Sequence, residues 1–339
     1  MHVFRKLPIH LLFFSGLAIA CHPALCQSGR RIRTIIVDAG HGGTDSGAKG
    51  EYRGSLYSKE KDVTLAISKK LVAELREKMP DVKIIPTRTT DIYQPVKEKA
   101  QIANEYHGDL FVCIHADAVS LRTASRIIGH RRETYYTTHY VGKGKKRKRI
   151  RTAHTHIVPI REYYKLPTDR RGTSTWIFAA HKTDDKIKAM EQSDLLFSTD
   201  ENDSTLDINE DSPEWKAKAL LYTQNYFKKS YKLASLIQEM VDSAGRPDLG
   251  VHQRQKGIWV LQATQMPAVL VETGFMENYE DERYLNSQQG QQQIADMITK
   301  ALIKYRDEVE GPHDSLSLKV TPAASPKPSL SQAVGPAKN

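Results

Sequence analysis

Three short apolar runs constrain the fold of this chain more than any other feature: Ile35-Ile36-Val37, Leu110-Phe111-Val112-Cys113-Ile114 and Val269-Leu270-Val271. A strand apolar at every position has no solvent face, so something must cover it on both sides. Helices on a parallel sheet supply that cover. The intervening segments read as those helices. Val63, Ile67, Leu71 and Leu75 recur every fourth residue until Pro80 ends the pattern. Residues 95–106 form a helix that begins with proline near its first turn. A long helix is expected over about 214–243, with Phe227, Tyr231, Ala234, Ile237 and Val241 on one face, and a terminal one over 289–305. Residues 82–85 and 258–261 read as further strands. The expected fold is α/β, a mainly parallel twisted sheet flanked by helices on both faces and carrying a long charged insertion.

In such sheets ligands bind beyond the carboxyl ends of strands, and the polar residues there are informative. Asp38-Ala39-Gly40-His41-Gly42-Gly43 follows the first run, His115 ends the second, and Glu272 ends the third. Glu60 opens the helix of residues 61–79. Two imidazoles and a carboxylate with one open position make the ligand set of a catalytic zinc. A further glutamate off the metal can serve as general base. His41 and Glu60 have plainer readings, as a turn residue and as a solvated first-turn acid. His115 is harder to dismiss, because an apolar strand delivers it directly to a strand end, and Glu272 likewise ends an apolar strand, where a carboxylate is costly without a partner or a task. Cys113 points to the same side as His115, which makes it a candidate metal neighbour or, more simply, a small buried residue. The glycines of residues 40–47 lack the Gly-Lys-Ser/Thr ending of a phosphate loop and the spacing of a dinucleotide fingerprint.

Taken in order, Asp38 to Gly43, Glu60-Lys61-Asp62, Thr87-Arg88, Ala103-Asn104, Ile114-His115-Ala116-Asp117 and Val271-Glu272-Thr273-Gly274-Phe275 resemble the zinc-dependent N-acetylmuramoyl-L-alanine amidases of the amidase-3 type. The resemblance covers roughly residues 31–118 and 215–305. It implies that His41, Glu60 and His115 hold one Zn²⁺, with Glu272 as the base. It also implies the substrate: the amide between N-acetylmuramic acid and L-alanine in peptidoglycan, cut during daughter-cell separation. A non-catalytic wall-binding relative, or a zinc peptidase or deacetylase of peptidoglycan, stays open as an alternative. Several cell-division amidases of this type are held inactive by a helix over the zinc until an activator protein releases it. Residues 187–197 are a candidate for that helix, with Glu191 as the blocking ligand. Deleting residues 183–213 is then expected to raise turnover several-fold; equal or lower turnover with the fold intact rules this out.

Charge is segregated. Residues 119–171 hold 15 Lys and Arg against 3 acidic residues, and residues 183–214 hold 11 acidic residues against 2 lysines. The basic insertion alone therefore accounts for the net charge of +10. Its stretch from Tyr135 through Lys148 reads as a hairpin or an arm. Gly144 to Arg149 would suit nucleic acid, but an exported protein does not meet it, so a solvated loop, the anionic cell wall or the chain's own acidic block are the readings kept. His154-Thr155-His156 reads as exposed strand rather than a second metal site. Export is read from residues 2–20: Arg5 and Lys6, then an apolar run to Ala20 too short to span a bilayer. Residues 1–26 are the expected signal peptide, or Ala18-Ile19-Ala20-Cys21 is a lipoprotein box with the lipid on Cys21. The first reading places the protein in the periplasm, the second at the outer membrane, and a membrane is involved only in the second. The catalytic domain is expected over 31–308 and a disordered tail over 311–339.

Overall fold

The apolar runs become the middle of a six-stranded sheet in the computed structural model, which describes residues 31–179, 213–254 and 258–311. In chain order the elements of the first half are β1 (Thr34–Ala39), α1 (Glu60–Lys78), β2 (Lys83–Pro86), α2 (Val96–Glu105) and β3 (Leu110–Asp117). Two long strands follow, β4 (Thr123–Val141) and β5 (Lys148–Lys165), then β6 (Thr173–Phe178). The rest comprises α3 (Pro213–Ser243), β7 (Asp248–Arg254), α4 (Trp259–Ala263), β8 (Ala268–Phe275), α5 (Tyr279–Asn286) and α6 (Gln288–Glu310). The strand order is β2-β1-β3-β8-β6-β7. Neighbours are parallel except β6 against β8.

β1 and β8 are buried at every residue. Ile35, Val37, Val112, Ile114, Val269 and Val271 face one layer, packing with Ile67 and Leu71 of α1, Ile237 of α3 and Ile298 of α6. Ile36, Phe111, Cys113 and Leu270 face the other, against Ala100 and Ala103 of α2 and Leu261 of α4. Helices therefore cover both faces, as the apolar runs required.

Two readings needed correction. Residues 258–261 are not a strand: Trp259–Ala263 is a short helix, because a brief apolar run does not by itself distinguish the two. Asn104 on α2 decides it by donating to Ala263 O at 3.0 Å and accepting from Gln265 N at 2.9 Å. The remaining sheet positions are filled by β6, which opens on the polar Thr173-Ser174-Thr175 before a short apolar Trp176-Ile177-Phe178, and by β7, which has no buried residue. On α3, Ala234, Ile237 and Val241 are buried as expected, but Tyr231 is 52 % exposed and Ser230 and Leu233 are buried in its place, which shifts that part of the buried stripe. The basic insertion is an antiparallel ribbon paired from Thr123↔Lys165 to Val141↔Lys148, with one irregularity between Ile127 and Gly129.

The signal segment with Cys21, residues 187–197 with Glu191, most of the acidic insertion and the tail beyond 311 lie outside the described residues. Among the described residues, no helix is long and apolar enough to cross a membrane.

Candidate metal centre and active site

The loop after β1 is pinned from below. Buried Asp38 accepts from Thr87 Oγ1 at 2.6 Å and Cys113 Sγ at 2.8 Å, and pairs with Lys99 Nζ at 2.9 Å. Burial works to raise its carboxyl, but Lys99 and these donors prevail and hold it below the usual range. Arg88 donates to Ala39 O, Gly40 O and Lys61 O at 2.8–3.1 Å, tying the loop to the first turn of α1. His41 sits in the left-handed region at φ 57°, a conformation that costs a non-glycine residue about 1 kcal/mol or more. Two glycines let it close on its neighbours. A Cβ at Gly40 would stand 2.6 Å from the His115 ring, and one at Gly47, itself at φ +61°, would stand 2.4 Å from Glu60 Oε2.

Three elements bring the predicted ligands together: the β1 loop supplies His41, the start of α1 supplies Glu60, and the end of β3 supplies His115. Glu60 Oε2 lies 3.1 Å from His41 Nε2, Glu60 Oε1 lies 2.8 Å from His115 Nδ1, and the ligand atoms all fall within 4.8 Å of one another. Ligands about 2.0–2.1 Å from a tetrahedral zinc stand roughly 3.3 Å apart, so the group can take a metal ion with small side-chain adjustments. Ala48 N and Ala116 N donate to the two Glu60 oxygens at 2.7 and 3.0 Å. Burial pushes the Glu60 carboxyl up, yet hydrogen bonds and charge from His115 and His41 outweigh it and hold it well below the usual range. Burial likewise works to lower both imidazoles, and Glu60 reverses it, raising His41 and His115. Cys113 is not a ligand candidate; its thiol points down the sheet to Asp38.

Glu272 is the register partner of His115 across β3 and β8, so both side chains leave the sheet on the same side. It is 6 % exposed, and among the described residues no donor reaches its Oε2. Burial lifts its carboxyl to about 7; His115 and Arg254 oppose the shift, while Glu60 and Asp117 add to it. A carboxylate kept near neutrality beside a cluster of metal-type ligands suits proton transfer at neutral pH.

The family model for N-acetylmuramoyl-L-alanine amidases of the amidase-3 type matches residues 35–304. This chain belongs to that family. Among curated relatives, it is 29% identical over 280 residues to N-acetylmuramoyl-L-alanine amidase AmiC of Escherichia coli O6:H1, covering 82% of this chain and 54% of that one. It is 28% identical over 286 residues to AmiA of Escherichia coli K12, covering 84% and 79%. This amidase-family chain thus spans about half the length of the first of these and more of the second. Among solved structures, the N-acetylmuramoyl-L-alanine amidase of Clostridium difficile 630 shares its fold with a TM-score of 0.50 at 22% identity, covering 82% of this chain and 98% of that one.

Two acidic residues near the candidate site escaped the sequence reading. Asp45 Oδ2 lies 2.8 Å from His41 Nδ1, where it fixes the ring with Nε2 turned to Glu60; its i+4 spacing inside a glycine-rich turn was the available signal. Such a partner behind a ligating histidine sustains metal affinity, so Asp45→Ala should weaken zinc binding about 10- to 100-fold. Competition against a chromophoric chelator measures this, and unchanged affinity would remove Asp45 from the site. Glu277 is buried, with its carboxyl pushed to about 7 mainly by burial, against the bond from Val119 and with Glu60 and Asp117 raising it further. It accepts from Val119 N at 3.4 Å, linking the end of β8 to the root of the basic ribbon.

Proposed function

We propose that this chain hydrolyses the amide between N-acetylmuramic acid and L-alanine in peptidoglycan, using one Zn²⁺ held by His41, Glu60 and His115 and taking Glu272 as general base. The observation that carries this is the buried Glu272 carboxylate, whose Oε2 meets no donor among the described residues, one strand over from His115. When bound, zinc supplies Lewis acidity at an open coordination position. Glu272 accepts the proton of the attacking water, then delivers it to the departing amine nitrogen of L-alanine, which leaves poorly without one. A group with its pKa near 7 can do both in one turnover. Asp45 keeps the His41 ring turned toward the centre, and Arg88 keeps the loop that carries it in place. The leader-like residues 2–20 support an activity outside the cytoplasm, where peptidoglycan lies, and wall cleavage between daughter cells is the role we propose.

Digestion of purified peptidoglycan, with products identified by mass spectrometry, tests the reading. Free stem peptides beginning with L-alanine are expected. Release of fragments cut within the stem peptide, or of acetate alone, would replace the amidase with a peptidase or a deacetylase.

A further inference from the structure

The ribbon of β4 and β5 accounts for the basic character of the chain, yet no part of the proposed chemistry uses it. Each strand is 18–19 residues long, so the ribbon reaches about 60 Å at 3.3 Å per residue. Between Glu133 and Glu162 it holds eight Lys and Arg and no acidic residue. The register sorts these by face. Arg132 pairs with Ile157, Tyr136 with Ala153, Thr138 with Arg151 and Tyr140 with Arg149, so Arg132, Tyr136, Tyr140, Arg149 and Arg151 share one face. Glu133 falls on the opposite face, engaged by Arg131 at 2.5 Å. The charged residues of the first face are therefore all cationic, set among tyrosines, threonines, Ala153 and Ile157. The Arg151 guanidinium lies 3.7 Å over the Tyr136 ring, and that of Arg147 4.3 Å over Tyr140. A guanidinium stacked this way keeps its N–H edges free for carboxylates.

The root of the ribbon lies at the rim of the metal centre. β3 passes from His115 to Asp117 and the chain enters β4 at Thr123. Lys165 O accepts from Arg53 N at 3.0 Å, on the loop that leads to Glu60, and Val119 N donates to Glu277. An isolated two-stranded ribbon is marginal in water, and one that is cationic on one face and rooted beside a catalytic centre is suited to hold a long anionic polymer leading into that centre.

We propose that the Arg132, Tyr136, Tyr140, Arg149 and Arg151 face binds the peptidoglycan strand itself, through the carboxylates of its stem peptides, and holds the polymer beside the site that cuts it. The choice of occupant rests on the amidase reading above; the charge complementarity does not.

The test is co-sedimentation of the full chain with intact peptidoglycan sacculi, in the Glu272→Gln background so that no polymer is lost. It compares that protein with R132S/R149S/R151S over a salt series; equal melting temperatures and circular dichroism spectra show that both fold. Losing three charge-assisted contacts should weaken sacculus binding by about tenfold or more near physiological salt and flatten its salt dependence. Equal binding by the two proteins overturns the proposal. So does binding to phosphatidylglycerol vesicles or duplex DNA in preference to sacculi, which would give the face a lipid or nucleic-acid partner. Binding that appears only after residues 183–212 are deleted would assign it to the chain's own acidic block. Arginine-dependent binding by a wild-type protein that releases no stem peptide would leave the arm standing and the amidase reading refuted.

Discussion

Glu272→Gln is expected to abolish nearly all turnover while making the metal-free protein more stable. Removing a positioned general base costs about 10²- to 10⁴-fold in rate, and zinc binding should persist because Glu272 is not among the three ligands. The gain in stability follows from the same burial. The carboxyl titrates at about 7 in the fold against an ordinary value of 4.5. Below pH 4.5 folded and unfolded chains both carry it neutral, and its ionisation contributes nothing. Between 4.5 and 7 the unfolded chain loses the proton while the fold retains it, so stability falls as pH rises. Above 7 the fold carries the buried charge at a cost of up to about 3 kcal/mol, which the neutral amide escapes. Thermal melts of the metal-free proteins should therefore diverge from pH 5 upward and run parallel above 7. A melting temperature that is lower for the variant at pH 8, or a variant that keeps a tenth of its activity, would contradict the role given to Glu272.

Stripping the metal is the second large effect. Dialysis against a chelator should remove all turnover, and added Zn²⁺ should restore it. Calorimetry gives a readout independent of activity: free zinc at one hundred times its dissociation constant adds about 2.7 kcal/mol to the folded state, and His115→Ala should lose this shift. The affinity depends on pH because imidazole must be neutral to bind. Glu60 raises both His41 and His115 above the ordinary value of 6.5, so protons compete with the metal at a higher pH than for free histidine. Zinc affinity should begin to fall before pH 6.5 is reached on the way down. A wild-type protein whose melting point ignores zinc at pH 8 would refute the metal centre.

The three central strands, their parallel pairing and the helices on both faces were readable because full burial leaves a plain mark, an apolar run without alternation. His115 and Glu272 were readable for the complementary reason, that a polar residue at the end of such a run stands out; His41, in the loop after β1, and Glu60, at the start of α1, were readable through the motifs around them. β6 and β7 left a weaker mark. β7 has no buried residue, and the first half of β6 is polar: Thr173, Ser174 and Thr175 are buried against neighbouring backbone and side chains, Thr173 Oγ1 donating to Thr273 O at 3.0 Å and accepting from Arg246 Nε at 2.7 Å. Asp45 and Glu277 were missed because only contact distinguishes a working carboxylate from an ordinary one.

Hydrophobic patterning acts locally along the chain, so the sequence alone determined the layered α/β architecture, the family and the four residues at the strand and helix ends. The distances among those residues arise between segments far apart in the chain, from close packing of backbone against side chain at Gly40 and Gly47. The tertiary structure alone therefore decided that the cluster is tight enough for one ion, that Glu272 is buried enough to hold a proton near pH 7, and that the cationic ribbon starts at the rim of that site.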